Sequence, residues 1–245
     1  IDERLKEVLP LLQTAGGTLA TDLGEDKTVH EAFAAPAAQR LHERINNDAA
    51  ARRGGPKPVR AIRYQMSGVT DQCIDRYLEV TKSTRSSLRK VYSPGMDDTV
   101  FSESDLQNPG TVAPSAASVL MKILYLARCI RFDLLHPVCM LAREITRWTV
   151  ACDKRLHRLV SYMHTTKDLS LESFVGDDIT DLSVVVYSDA SFVDCKRTSR
   201  STTGCFVAIV GPNTFVPINA LCKKQTVVSQ SSTEAEIVAL ETDVR

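Results

Sequence analysis

Apolar positions recur at spacings of three and four across residues 115–165, where Val138, Leu141, Ile145, Trp148, Cys152, Leu156, Leu159 and Met163 fall in one stripe at about 100° per residue. Arg143, Arg147, Lys154 and Arg158 fall on the opposite side, so the pattern predicts an amphipathic helical region with a basic outer row. After Gly176-Asp177-Asp178 the period shortens. Val184-Val185-Val186-Tyr187, Cys205-Phe206-Val207-Ala208-Ile209-Val210 and the run over 214–218 are rich in β-branched and aromatic residues, with Gly211-Pro212-Asn213 between the last two; they predict three strands and a tight turn. Ser231-Ser232-Thr233-Glu234 has the form of a capping box, and Ala235, Ile237, Val238 and Leu240 continue it as a helix. Strands followed by a packed helix place this end of the chain in the α/β or α+β class.

Residues 1–50 predict short helices broken at Pro10, Gly16-Gly17 and Pro36. Arg52-Arg53-Gly54-Gly55-Pro56-Lys57-Pro58 joins turn formers to two prolines that cannot continue a helix, which predicts a linker and a domain boundary near residue 55. The expected organisation is a poorly defined helical segment and linker over 1–58, a helical region over 59–176 and a strand-rich domain over 177–245.

The 245 residues are 43% apolar and 24% charged, with 30 Lys+Arg against 30 Asp+Glu, a composition that excludes a disordered or collagen-like chain. The formal net charge of zero gives no overall pull on nucleic acid or an anionic membrane. It averages a basic stretch from Arg128 to Lys167 against a carboxylate-rich one from Asp177 to Asp243. No apolar run approaches the roughly 18 residues of a membrane helix, so no membrane partner is expected. The chain opens Ile1-Asp2-Glu3-Arg4, without a secretory leader and without Met, which leads us to expect an internal piece of a longer, non-secreted product. Seven cysteines stand without any C-x-x-C pair, which points to reduced thiols in the cytosol or nucleus and away from a disulfide framework or structural zinc.

The most informative chemistry is Asp189, at the end of the first predicted strand, with the carboxylates of the predicted helix start at Glu234 and Glu236. Such a pair makes a hard-oxygen site for Mg²⁺ or Mn²⁺, because two carboxylates about 4 Å apart repel by roughly 4 kcal/mol at an effective dielectric of about 20 and a cation offsets that. The plainer alternative is that Asp189 opens a turn and Glu234 only caps. The basic row Arg143, Arg147, Lys154 and Arg158 is likewise either a solvated face or a rail for phosphates. Gly95-Met96-Asp97-Asp98 lacks the aromatic of a polymerase signature and follows Ser93-Pro94, so it predicts a loop. No P-loop, nucleophile elbow or H-E-x-x-H is present. Cys152 and His157 read as a core thiol and a surface imidazole, and His30, His42, His136 and His164 show no ligand spacing.

Tyr187-Ser188-Asp189-Ala190-Ser191-Phe192, Arg200-Ser201-Thr202-Thr203-Gly204-Cys205, Lys223-Lys224-Gln225 and residues 231–240, which open Ser231-Ser232-Thr233-Glu234-Ala235-Glu236, follow one another in this chain in the order and spacing of the ribonuclease H region of copia-type retrotransposon Pol polyproteins, which they resemble. Upstream, Leu124-Tyr125-Leu126-Ala127-Arg128, Arg131-Phe132-Asp133-Leu134, Leu141-Ala142-Arg143 and the run from Leu156 to Met163 resemble the helical connection that precedes it. Asp75-Arg76-Tyr77-Leu78 and Val91-Tyr92-Ser93-Pro94 look, more loosely, like the end of the reverse transcriptase. Members usually turn near Trp148-Thr149, which would cut the basic row in two.

The resemblance implies a ribonuclease H-like mixed sheet with a packed helix, in which carboxylates hold two Mg²⁺ (or Mn²⁺) ions that cut the RNA strand of an RNA–DNA hybrid by in-line displacement. It implies Asp189 as the shared metal ligand and Glu236, rather than the capping Glu234, as the helix ligand. The family's third and fourth carboxylates fall beyond Arg245, so this chain is expected to be inactive by itself. Ala220 stands where members have Trp, Phe132 where they have Pro and Thr198 where they have Asp, as in a diverged copy. Two rivals follow: a non-catalytic nucleic-acid-binding remnant working through Arg143, Arg147, Lys154 and Arg158, and an inert product with an unpaired sheet edge.

Overall fold

In a computed structural model of the chain, residues 59–195 and 198–244 are described; the helices expected over residues 1–50 and the expected boundary near residue 55 lie outside them. The order is β1 (Arg60–Tyr64), α1 (Ser67–Thr81), α2 (Glu103–Gln107), α3 (Ala116–Cys129), α4 (Leu135–Ala142), α5 (Val150–Thr165), β2 (Leu171–Val175), β3 (Ser183–Cys195), β4 (Arg200–Gly211), β5 (Thr214–Lys224) and α6 (Ser232–Val244). The class is mixed helix and sheet, as expected. No described helix is long and apolar enough to cross a membrane.

The predicted apolar stripe forms the core: Val138, Leu141, Trp148, Cys152, Leu156, Leu159 and Met163 are all buried, packed with Leu120, Ile123 and Leu126 of α3 and Ile74 of α1. One continuous helix does not carry it. After α4 the chain makes a 3₁₀ turn over Ile145–Arg147, and Trp148 and Thr149 are extended. The break is built by side-chain hydrogen bonds. The Asp153 carboxylate, in the first turn of α5, accepts from the Trp148 indole N–H at 2.6 Å, from the backbone N–H groups of Thr111 and Val112 at 2.6 and 3.2 Å, and from the Thr111 hydroxyl at 2.9 Å. Gly110 donates to the Trp148 carbonyl at 3.0 Å. A Cβ there would lie 2.5 Å from the Thr149 carbonyl oxygen, so only glycine fits.

The sheet runs β1-β2-β5-β4-β3, and every described pairing is antiparallel. This corrects the mixed sheet that the resemblance implied: β3, β4 and β5 are joined by short turns, and a strand returning through a short turn can pair only antiparallel. Strands β1 and β2 had no strand signal in the sequence. All five residues of β1 are exposed, and in β2 only Ser173 is buried, so neither shows apolar alternation. They also join the expected helical region, 59–176, to the strand-rich one. Phe174 pairs with Phe215, and the Thr214 hydroxyl accepts from the N–H groups of Gly176 and Asp177 at 3.1 and 3.2 Å. Gly95-Met96-Asp97-Asp98 lies in a loop, where Asp97 caps a short 3₁₀ turn.

Candidate functional site

Asp189 lies in the middle of β3 and pairs with Gly204 of β4. Residues directly opposite in an antiparallel pair share a face, and faces alternate along each strand. Asp189 therefore shares its face with Gly204, Thr202, Tyr187 and Phe206. This is the face toward the helical region: Phe206 meets Phe132 edge to ring at 6.1 Å between centroids, and Arg143 at the end of α4 donates to the Thr202 hydroxyl at 2.9 Å. An open cleft of about 450 Å³ lies there, lined by Asp189, Tyr187, Phe206, His136 and Phe132 among others. Gly204 leaves its floor open, since the nearest atom a Cβ there would meet is 3.9 Å away.

Helix α6 is capped as expected. The Ser231 hydroxyl accepts from the Glu234 N–H at 3.1 Å, and the Glu234 carboxylate accepts from the Gln230 N–H at 2.8 Å. The helix lies on β3 and β4 through Ala235 and Ala239, both fully buried and one turn apart. Gln225 fastens it, donating to the Ala235 carbonyl at 2.8 Å and to the Thr203 hydroxyl at 3.2 Å. Near its other end, burial and then the charge of Asp243 push the Cys205 thiol up to about 11. Thr203 and Cys205 alternate with Thr202 and Gly204. The helix accordingly covers the face opposite Asp189.

The two carboxylates expected to share a metal are thus separated by the sheet: Asp189 lies on the face toward Phe132 and α4, Glu236 on the helix behind. Glu234 is occupied by its capping bond. Among the described residues no three His, Cys, Asp or Glu side chains are grouped to hold a metal ion. The sequence pattern placed Asp189 in a strand and Glu236 in a helix, but could not say on which face the helix would settle.

The basic row is also redistributed. Arg143 is mostly buried, 3.5 Å from Asp194, whose carboxylate accepts from the Thr202 hydroxyl. Arg147 pairs with Glu144 at 3.3 Å and Lys154 with Asp105 at 2.6 Å, and the Lys154 ammonium holds the Asp105 carboxyl below its ordinary range. Arg158 donates to the Ser93 carbonyl at 3.1 Å. The four sit on α5, on the 3₁₀ turn before it and at the end of α4. Each has its own partner within the protein.

Two groupings had no signal in the sequence. Arg131, 2% exposed, donates to Asp133 and to the carbonyl and hydroxyl of Thr166. Cys139 of α4 and Cys222 of β5 shift one another's titration, Cys139 down to about 7 and Cys222 upward; their separation along the chain hides any spacing rule. Comparisons with protein-family models, with curated proteins and with solved structures find no match to this chain.

Proposed function

We propose that the chain is part of a copia-type retrotransposon Pol polyprotein, that residues 177–244 belong to its ribonuclease H-like module, and that in the arrangement described the module holds an RNA–DNA hybrid without cutting it. The observation that carries the reading is the match of motif to element: Asp189 mid-strand opposite Gly204, two further antiparallel strands ending at Lys223-Lys224-Gln225, then a helix opened by Ser231 and Glu234. That is the order in which the resembled region sets out its first strands and helix. Metal-dependent cleavage in that family would need both carboxylates to hold the metal ions at one phosphate. With Asp189 and Glu236 on opposite sides of the sheet, that step has no route here, and Asp189 acts on a bound strand as an uncompensated negative charge.

The test is a mobility-shift and nicking assay of the whole chain with a labelled RNA–DNA hybrid in Mg²⁺ or Mn²⁺. The hybrid is retarded at low salt, with affinity falling as salt rises, and is not nicked. Asp189→Asn binds several-fold more tightly, since removing the carboxylate lifts its repulsion of phosphate. Mg²⁺ leaves the thermal midpoint unchanged, because a ligand without a site in the folded state adds no stability. No retardation at low salt would overturn the nucleic-acid reading. Nicking that disappears in Asp189→Asn would overturn the non-cutting part.

A further inference from the structure

Asp189 stands beside a row of aromatic rings. Phe206 lies between Tyr187 and Phe132, 6.1 Å from each between ring centroids, and Tyr187 is 51% exposed. The three rings and Asp189 line the open cleft of about 450 Å³, a size within the roughly 300–1,000 Å³ of small-molecule sites. Two small residues make the room: Gly204 lies opposite Asp189 and Ala220 opposite Phe206, and both line the cleft. The charge there is one-sided. Among the described residues Asp189 is the one carboxylate of the lining and no lysine or arginine joins it. Its side chain makes no hydrogen bond or ion pair with any described residue.

We propose that this cleft binds a small quaternary ammonium ion with an apolar body, the cationic head held by Asp189 and Tyr187 and the body lying along Phe206 and Phe132. The face of an aromatic ring carries partial negative charge and attracts a cation within about 6 Å of its centre. Tyr187 and Asp189, two residues apart on one face of β3, therefore draw the same group. Its methyl groups bury apolar surface against the rings, and its charge answers the carboxylate.

The chemistry of the lining separates this cation from others. A primary ammonium or a guanidinium brings N–H donors that each call for an acceptor, and ring faces are poor ones; a quaternary ammonium has no donor to satisfy. A hard metal ion takes about six oxygen ligands, whereas the cleft offers a single carboxylate beside a few hydroxyl groups. Anionic ligands meet the charge of Asp189 and are repelled. The site stands independently of the Pol reading, because it rests on the rings and the carboxylate and on no nucleic-acid contact.

The experiment titrates benzyltrimethylammonium into the full chain at low salt, with binding read by calorimetry and by saturation transfer from the protein to the ligand's methyl protons. His136 also lines the cleft, so the titration is run at mildly alkaline pH, where an imidazole is ordinarily neutral. The wild-type chain binds the cation saturably, and binds its uncharged carbon isostere, neopentylbenzene, several-fold more weakly. Asp189→Asn weakens the cation several-fold and leaves the isostere unaffected, and Tyr187→Leu weakens the cation about two- to fivefold. Both side chains are exposed, so neither change disturbs the core. The proposal is overturned by equal affinity for cation and isostere, by an Asp189→Asn chain that binds the cation as tightly as wild type, or by no saturable binding to wild-type chain that melts cooperatively. Retardation of an RNA–DNA hybrid is a separate readout, so this site can fail while the nucleic-acid reading stands, and the reverse.

Discussion

Arg131 shows how a single side chain can hold two parts of a chain together. Its guanidinium is 2% exposed and places Nε and Nη2 on the Asp133 carboxylate at 2.9 and 2.8 Å. Nη1 and Nη2 reach the carbonyl and hydroxyl of Thr166 at 3.0 and 2.8 Å, and the group lies 5.7 Å from the Tyr162 ring centre. The Tyr162 hydroxyl donates to the same Asp133 at 2.9 Å. The cluster ties the turn between α3 and α4 to the end of α5. Removing the buried cation leaves the Thr166 carbonyl unpaired and the partly exposed Asp133 without its fork, which costs about 1–3 kcal/mol. Arg131→Met is therefore expected to lower the urea-unfolding free energy by that amount, while Arg131→Lys, unable to reproduce the fork, recovers only part of it. In the sequence Arg131 and Asp133 stood as part of a resembling motif, with no sign that the arginine would be buried, since burial is set by what packs over it.

At the scale of elements, the clearest case is the turn between α4 and α5. Its location near Trp148-Thr149 was expected from the resemblance, whereas the apolar spacing alone ran straight through it, because a broken helix can keep the same face toward a core. Asp153 and Gly110 make the break physical. Gly110→Ala would press a methyl group against the Thr149 carbonyl, the Trp148 ring and the Asp153 carboxylate, at 2.5, 2.7 and 2.8 Å. Overpacking of this kind costs about 1–3 kcal/mol; the expected outcome is a lower thermal midpoint with unchanged far-ultraviolet dichroism. The β3, β4 and β5 strands and the α6 cap were legible because they carry β-branched runs, a Gly-Pro-Asn turn and a Ser/Glu capping pair. Strands β1 and β2 were not, since exposed strands need no apolar alternation and their pairing partners lie far away in the chain.

At the scale of the molecule, β3 is the last strand of the sheet among the described residues, 13 residues long, with Val184, Val186 and Tyr187 exposed along it. A long apolar edge with unpaired backbone groups is a template for self-association. The double substitution Val184→Lys and Val186→Lys is expected to abolish concentration-dependent growth in light scattering while leaving the thermal midpoint nearly unchanged; equal scattering from both chains would show that the edge is not the adhesive surface.

By itself the sequence determined the periods and caps: where apolar positions recur, which segments extend, where α6 begins, and that Asp189 stands in a strand and Glu236 in a helix. These are local properties, governed by side-chain spacing and backbone preferences within a few residues. The tertiary structure alone decided that α6 covers the face away from Asp189, that Arg143, Arg147, Lys154 and Arg158 each take a separate partner, and that Cys139 and Cys222 shift one another's titration. Those outcomes depend on which surfaces of remote elements bury each other, and packing of that kind leaves no fixed interval along the chain.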